Sequence, residues 1–106
     1  MSKTGQSLID LGIREYKRRR IFGKAVLLDV RTEEEYSEGH VPGSINIPLQ
    51  EIDRLPSVIG SKGRPLYVHC QSGIRSAQAC EKLREMGYSN IKNIGGFAEY
   101  SGKVDK

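Results

Sequence analysis

The residue best suited to chemistry in this sequence is Cys70, the first residue of the segment 70–76. The segment follows an apolar run typical of a buried strand and leads into a stretch with helical periodicity. A cysteine in such a strand–loop–helix turn lies at the carboxyl end of its strand, where ligands bind in open α/β sheets. We therefore predict a reactive cysteine, the alternative being a buried, inert thiol at the strand end.

The loop after Cys70 has the residue types that hold an anion. Gly73 permits backbone conformations that other residues resist, so the loop can turn successive N–H groups inward as a nest. The helix that begins near Ser76 adds unpaired N–H groups and positive dipole potential. Arg75 adds a permanent cation whose planar fork suits oxyanions. Because these features favour thiolate, we expect Cys70 to have a pKa below the value of about 8.5 of a free cysteine.

The other candidate groups are not expected to act in catalysis. His69 precedes Cys70 in the predicted strand, so its side chain points to the opposite face of the sheet and a general-base role is disfavoured. Cys80 falls on the apolar face of a predicted helix and is interpreted as a small core residue rather than a resolving thiol. No zinc module has the spacing of the four candidate ligands, which are His40, His69, Cys70 and Cys80. We predict neither a metal nor a cofactor.

The elements that must position Cys70 alternate short apolar runs with helical stretches. This alternation is the pattern of an α/β domain with parallel strands. Strands are predicted over 25–28, 45–47, 65–69 and 91–94. Helices are predicted over 7–20, 32–39, 50–55 and from residue 75 or 76 to 86, and a loop is predicted over 57–64. The candidate buried positions of the first helix are Leu8, Ile9, Leu11, Ile13 and Tyr16.

Two local signals define helix ends. Thr32 and Glu35 form a predicted capping box, in which Thr32 caps the helix and Glu35 reaches back to it. Gly39 is expected to end this short helix, and Gly87 to end the helix after Cys70 with a left-handed residue. Each of these two predicted helices therefore follows a strand and ends at a glycine.

Four segments, in order, resemble the signatures of the rhodanese family of sulfurtransferases, specifically its small single-domain members. They are 27–32, 35–44, 68–76 and 95–97, within a similarity that runs from about residue 25 to residue 100. The resemblance implies a three-layer α/β fold with a central, mainly parallel sheet flanked by helices. We expect residues 1–20 to be a helical lead-in packed on a rhodanese domain over 21–106. Tyr100 stands where the family often has tryptophan, which implies a difference in packing only.

The resemblance also implies ping-pong sulfur transfer through Cys70. The thiolate attacks the sulfane sulfur of a donor such as thiosulfate, sulfite leaves, and a thiol or cyanide then takes the outer sulfur of the persulfide. Arg75 is expected to orient the anionic donor. The other residues expected to bind substrate are Gln71, Ser72, Gly73, Ile74 and Ser76. By the same resemblance, Asp29, Arg31 and His40 belong to structural networks rather than to the chemistry.

Other functions stay open at this point. Phosphatases and arsenate reductases of the related cysteine-loop type place five residues between cysteine and arginine. Only four lie between Cys70 and Arg75, which fits one sulfur atom better than a phosphate. A protein-partnered sulfur carrier, or a regulatory rhodanese module, would have little activity on free thiosulfate. A donor such as 3-mercaptopyruvate usually goes with a neutral hydroxyl residue where Arg75 stands.

The composition is that of an ordinary globular domain. Apolar residues make up 37% and charged residues 28%, and the formal net charge of +4 suits small anionic substrates without indicating nucleic acid. The basic run 17–20 is interpreted as a solvated helix end rather than a binding patch. No apolar run reaches the roughly 18 residues of a membrane span, and no signal region follows the start. We expect a cytoplasmic protein with no membrane partner. The family resemblance adds a sulfur-relay protein as a candidate partner.

Overall fold

Short apolar runs form a four-stranded sheet in the computed structural model, which describes residues 6–106. The strands are β1 (Val26–Asp29), β2 (Ile45–Asn46), β3 (Leu66–Cys70) and β4 (Ile91–Gly96). The α-helices are α1 (Leu8–Gly23), α2 (Glu33–Glu38), α3 (Leu55–Ile59) and α4 (Ile74–Glu85). Two 3₁₀ helices cover Leu49–Arg54 and Phe97–Glu99.

All strand pairs of the sheet are parallel, in the order β2-β1-β3-β4. Every residue of the central strands β1 and β3 is buried, as expected for strands covered on both faces. The register aligns the carboxyl ends of the strands, because Asp29 pairs with His69 and Cys70 with Gly96. The residues that follow these strands therefore meet at one edge of the sheet.

The sheet separates two apolar clusters. On one face, α1 buries Ile9, Ile13 and Tyr16 against Leu27 of β1 and Tyr67 of β3. The cluster on the other face joins the strands to α3, α4 and the first 3₁₀ helix, through residues that include Val68, Cys70, Ile52, Leu55, Ala79 and Leu83. The predicted three-layer α/β fold with a central parallel sheet is confirmed.

The buried face of α1 differs in part from the prediction. Leu8 is 62% exposed and Leu11 is 46% exposed, so these two predicted core positions are wrong. The reason is the close approach of the helix to β4 at Gly12, where a Cβ atom would lie 2.3 Å from the Cγ2 of Ile94. With Gly12 against the strand, Leu8 and Leu11 lie at the flank of the helix. Ser7 caps α1 by accepting a hydrogen bond from the N–H of Asp10.

Several element boundaries also shift. Residues 57–59, predicted as loop, continue α3 because Leu55 and Ile59 are buried in the core. The predicted helix over 50–55 is a 3₁₀ helix, β4 extends to Gly96, and α4 begins at Ile74. The capping box of Thr32 and Glu35 is confirmed.

The remaining predictions concern the division of the chain, membrane spans and the cellular compartment. Helix α1 continues past residue 20 to Gly23, and the division of the chain between residues 20 and 21 stays a prediction. Within residues 6–106, no helix has the length and apolar character needed to cross a membrane. The cellular compartment stays a prediction.

Candidate active site

Cys70 is the last residue of β3 and lies beside the start of α4. It is 1% exposed, and its sulfur accepts a hydrogen bond from the N–H of Gly73 at 3.0 Å. Gly73 has φ +99°, in the left-handed region that favours glycine, and it is the residue immediately before α4. This backbone conformation turns the N–H of the loop toward the sulfur, as the sequence predicts for an anion-binding loop.

The surroundings of Cys70 act on its ionisation in opposite directions. Burial raises the pKa of the Cys70 thiol, but hydrogen bonds from the hydroxyl and N–H of Ser76 and from the N–H groups of Gly73 and Ser72 outweigh it. The net result is a pKa below the ordinary value, in the direction expected from the sequence. The site therefore favours a thiolate that needs no separate base.

Asn93 of β4 links the cysteine loop to the sheet, and sequence reasoning missed it. Its Oδ1 accepts hydrogen bonds from the Gly95 N–H at 3.0 Å and the Ser76 hydroxyl at 2.8 Å, and its Nδ2 donates to the Gly73 carbonyl at 3.4 Å. The Ser76 hydroxyl has one proton and three acceptors within reach, which are Oδ1 of Asn93, the Gly73 carbonyl oxygen at 3.0 Å and the sulfur of Cys70. The available sequence signal was an asparagine inside a predicted strand, where this residue is depleted.

The glycine pair at the end of β4 allows the strand and the cysteine loop to touch. A Cβ at Gly96 would lie 2.4 Å from the carbonyl oxygen of Gln71 and 2.8 Å from the Cα of Ser72. That same carbonyl accepts a hydrogen bond from the N–H of Ala98 at 3.1 Å. The backbone of Gln71 and Ser72 leaves no room for a side chain at position 96. Glycine at this position is therefore required for the position of the loop.

Arg75 is held by Glu35 of α2. Its two terminal nitrogens lie 2.8 Å and 3.0 Å from the two carboxylate oxygens, a bidentate ion pair. One of these oxygens also accepts hydrogen bonds from the N–H and hydroxyl of Thr32. Chiefly through Arg75, the pKa of Glu35 is lowered to about 2, so the carboxylate is ionised at neutral pH. The sequence placed Glu35 in a capping box without showing this partner, and the role of Arg75 toward a donor stays a prediction.

A second ion pair, between Arg31 and Asp29, supports the cysteine loop. Arg31, 3% exposed, donates through Nε to both oxygens of the fully buried Asp29 at 3.1 Å and through Nη2 to Oδ2 at 2.9 Å. It also donates to the carbonyl of Gly39 at 2.8 Å and to Oε1 of Gln71 at 3.3 Å. The guanidinium lies 4.3 Å from the ring centre of Phe97. This network joins β1, the cysteine loop and the turn before β2.

His40 lies in the same structural framework. Its ring stacks on Tyr36 with a centroid distance of 3.7 Å, and its Nδ1 lies 2.8 Å from the Tyr36 carbonyl oxygen. The backbone of His40 also bridges to Asp105 near the end of the chain. These contacts hold the segment after α2 in place.

His69 and Cys80 lie where the sequence predicts. His69 is fully buried on the face opposite Cys70, and its Nε2 lies 3.8 Å from Asp29 without a hydrogen-bond partner among the described residues. Burial lowers the pKa of His69, which favours the neutral ring. Cys80 is buried in the core, and burial raises its pKa to about 11. No three His, Cys, Asp or Glu side chains within residues 6–106 are grouped to hold a metal ion.

A cavity of about 360 Å³ adjoins the cysteine loop at Gln71. Its other lining side chains include Arg31, Glu35, Glu38 and Phe97. A larger cavity of about 630 Å³ lies between α1 and the segments 42–43 and 100–103, and no residue of the loop 70–76 lines it. Of these two cavities, the smaller is the one lined by a residue of the loop that holds Cys70.

Alkylation of the two cysteines is expected to separate them by pH. The rate at Cys70 should reach half its maximum below pH ~8.5, because the loop stabilises the thiolate and the thiolate is the reacting form. The rate at Cys80 should rise only toward pH 11. Iodoacetamide labelling followed by peptide mass spectrometry measures both in one sample. A Cys70 midpoint at or above that of a free thiol would contradict the prediction.

Comparison with known proteins agrees with this geometry. Residues 13–103 match the family model described as "Rhodanese-like domain". The thiosulfate sulfurtransferase PspE of Escherichia coli K12 is 40% identical over 80 residues, which are 74% of this chain and 77% of PspE. The putative sulfur carrier protein YrkF of Bacillus subtilis is 27% identical over 106 residues, covering 98% of this chain but only 57% of YrkF. A solved structure described as a rhodanese with anions from E. coli matches with a TM-score of 0.72 and 38% identity, over 77% of this chain and 98% of that one.

Proposed function

The chain belongs to the rhodanese-like domain family and is a thiosulfate sulfurtransferase-like enzyme, and we propose that it works through a persulfide on Cys70. The sulfur would come from an anionic donor such as thiosulfate and pass to a thiol or cyanide. The observation that carries the proposal is the N–H of Gly73, which donates to the Cys70 sulfur at 3.0 Å. The name of PspE, a thiosulfate sulfurtransferase, supports the choice of donor.

The first half-reaction loads the enzyme. The Cys70 thiolate attacks the sulfane sulfur of thiosulfate, a sulfur–sulfur bond forms, and sulfite leaves with the electron pair of the broken bond. The electron pair of the thiolate forms the new bond, and the outer sulfur of the persulfide keeps the negative charge that it carried in thiosulfate. N–H groups of the loop and the start of α4 supply positive potential for that charge without reorganising.

The second half-reaction unloads it. The electron pair of cyanide or a thiolate attacks the outer sulfur, and the Cys70 thiolate leaves. Neither step requires the protein to remove a proton once the thiolate is present. This agrees with the position of His69, whose ring packs near Phe97 on the α1 side of the sheet, opposite the cluster that contains Cys70.

A protein-partnered sulfur carrier is the second candidate function. Its support is the match of nearly the whole chain to YrkF, a protein named as a putative sulfur carrier. The chemistry at Cys70 would be the same, but the donor would be another protein and free thiosulfate would react poorly.

Intact-protein mass spectrometry tests both candidates. After incubation with thiosulfate, we expect a gain of one sulfur atom at Cys70, followed by its loss to cyanide with formation of one thiocyanate. Gain from a persulfide-loaded cysteine desulfurase but not from thiosulfate would assign the carrier function instead. If neither donor loads Cys70, the persulfide proposal is wrong.

A further inference from the structure

Arg75, the cationic residue of the segment 70–76, is paired with Glu35. Both terminal nitrogens of Arg75 face the two oxygens of Glu35, at 2.8 Å and 3.0 Å. The ion pair is only about one-third exposed on each side chain, so solvent screens it incompletely. A donor that approaches Cys70 therefore meets a neutralised arginine rather than a free positive charge.

The cavity beside the loop is also poor in available cations. Arg31 is its only basic lining residue, and the buried Asp29 holds that guanidinium through three contacts of 2.9–3.1 Å. The acidic side chains that line the cavity are Glu35 and Glu38. An anion that enters beside Gln71 thus passes two carboxylates, and only backbone dipoles and the start of α4 attract it.

The negative charge of Glu35 is not needed for the local fold. A capping box functions with glutamine as well as with glutamate, because the side-chain oxygen is the acceptor. Helix α2 contains no buried residue, so core packing does not dictate the side chain at this position either. The charge therefore has its main consequence at Arg75 and at the cavity.

We propose that Glu35 is a specificity-determining residue that lowers the use of dianionic sulfur donors relative to monoanionic ones, by neutralising Arg75 and by repelling the donor across the cavity. The inference rests on the proposed function, since it concerns the donor that loads Cys70. It makes donor charge, rather than donor size, the property that this site selects.

Two donors separate charge from chemistry. Thiosulfate is a dianion and releases sulfite, whereas methanethiosulfonate is a monoanion and releases methanesulfinate. In both cases the thiolate attacks the terminal sulfur, one sulfur–sulfur bond forms and one breaks, and the leaving group takes the electron pair. The persulfide on Cys70 is the same product, so only the charge of the approaching donor and the leaving group differ.

The Glu35→Gln variant keeps the cap and removes the charge. One unit charge at a partly hydrated site changes the binding of another by about threefold, so kcat/KM should rise about threefold for methanethiosulfonate and about tenfold for thiosulfate. The ratio of the two values should rise about threefold. The increase should shrink at high salt, because screening weakens the charge effect. A purely structural change would alter both donors equally and leave the ratio constant.

Glu34→Gln is the matched control, because Glu34 lies in the same helical turn and is exposed. It should leave the ratio within twofold of the unsubstituted protein. An unchanged ratio in Glu35→Gln, with sulfur transfer intact from both donors, would overturn this inference and leave the proposed function standing. Failure of the unsubstituted protein to load from any donor would instead count against the proposed function.

Discussion

Replacement of Cys70 with serine is expected to reduce thiocyanate formation from thiosulfate and cyanide by about four orders of magnitude or more, to the uncatalysed level. A serine hydroxyl keeps its proton at neutral pH and is a much weaker nucleophile than a thiolate. The hydrogen bonds of the loop would stabilise a thiolate charge that the hydroxyl does not carry. Colorimetric thiocyanate assay measures the rate, and intact mass after thiosulfate treatment measures loading of the protein.

Cys80→Ala provides the control for loss of a cysteine. Cys80 is buried in the core with a pKa raised to about 11, so it should neither accept sulfur nor limit transfer. The alanine variant should load one sulfur atom and retain the rate of the unsubstituted protein per folded molecule. Sulfur found on Cys70→Ser at the original rate would contradict the assignment of Cys70 and direct attention to Cys80.

The local part of the site could be predicted from the sequence because its causes lie close together in the chain. An apolar run, Cys70, Gly73 and a helical stretch follow one another within a few residues, and each specifies the conformation of its neighbours. The capping box of Thr32 and Glu35 is equally local and was equally readable. The parallel sheet followed from the alternation of such units.

The rest depends on contacts between distant segments. Glu35 and Arg75 are 40 residues apart, and no local sequence pattern indicates that their side chains form an ion pair. Asn93 pairs with Val68 next to the point where the register of β4 shifts, and its side chain contacts Ser76 beside the cysteine loop. The sequence therefore does not reveal the ion pair between Arg75 and Glu35, and the expected role of Arg75 toward a donor stays a prediction.

The same distinction explains the error in α1. Helical periodicity shows that one face of the helix is apolar, but Leu8 and Ile9 are adjacent and both fit that pattern. The choice between them is made by Gly12, whose missing side chain lets Ile94 approach. A glycine that weakens a helix by propensity is here the point at which the helix packs on the sheet.

Arg31→Met is expected to lower the free energy of unfolding by about 3–5 kcal/mol, because it leaves the Asp29 carboxylate buried without its partner. Four of the hydrogen bonds that Arg31 makes within the structure end on Asp29 and Gly39. Urea denaturation followed by circular dichroism measures the change. Sulfur transfer per folded molecule should fall less than tenfold, because Arg31 reaches the loop only through Gln71.

Arg54→Met is the matched control, since the exposed pair of Arg54 and Glu51 carries the same charges at the surface. Its loss should cost less than about 1 kcal/mol, because solvent screens an exposed pair and its side chains regain freedom. The difference between the two changes in unfolding free energy measures the effect of burying the ion pair, since both variants lose one positive charge. Equal destabilisation by both variants would show that the Asp29 carboxylate finds another partner. A transfer rate that collapses in folded Arg31→Met would place this arginine in the chemistry rather than in the framework that holds the loop.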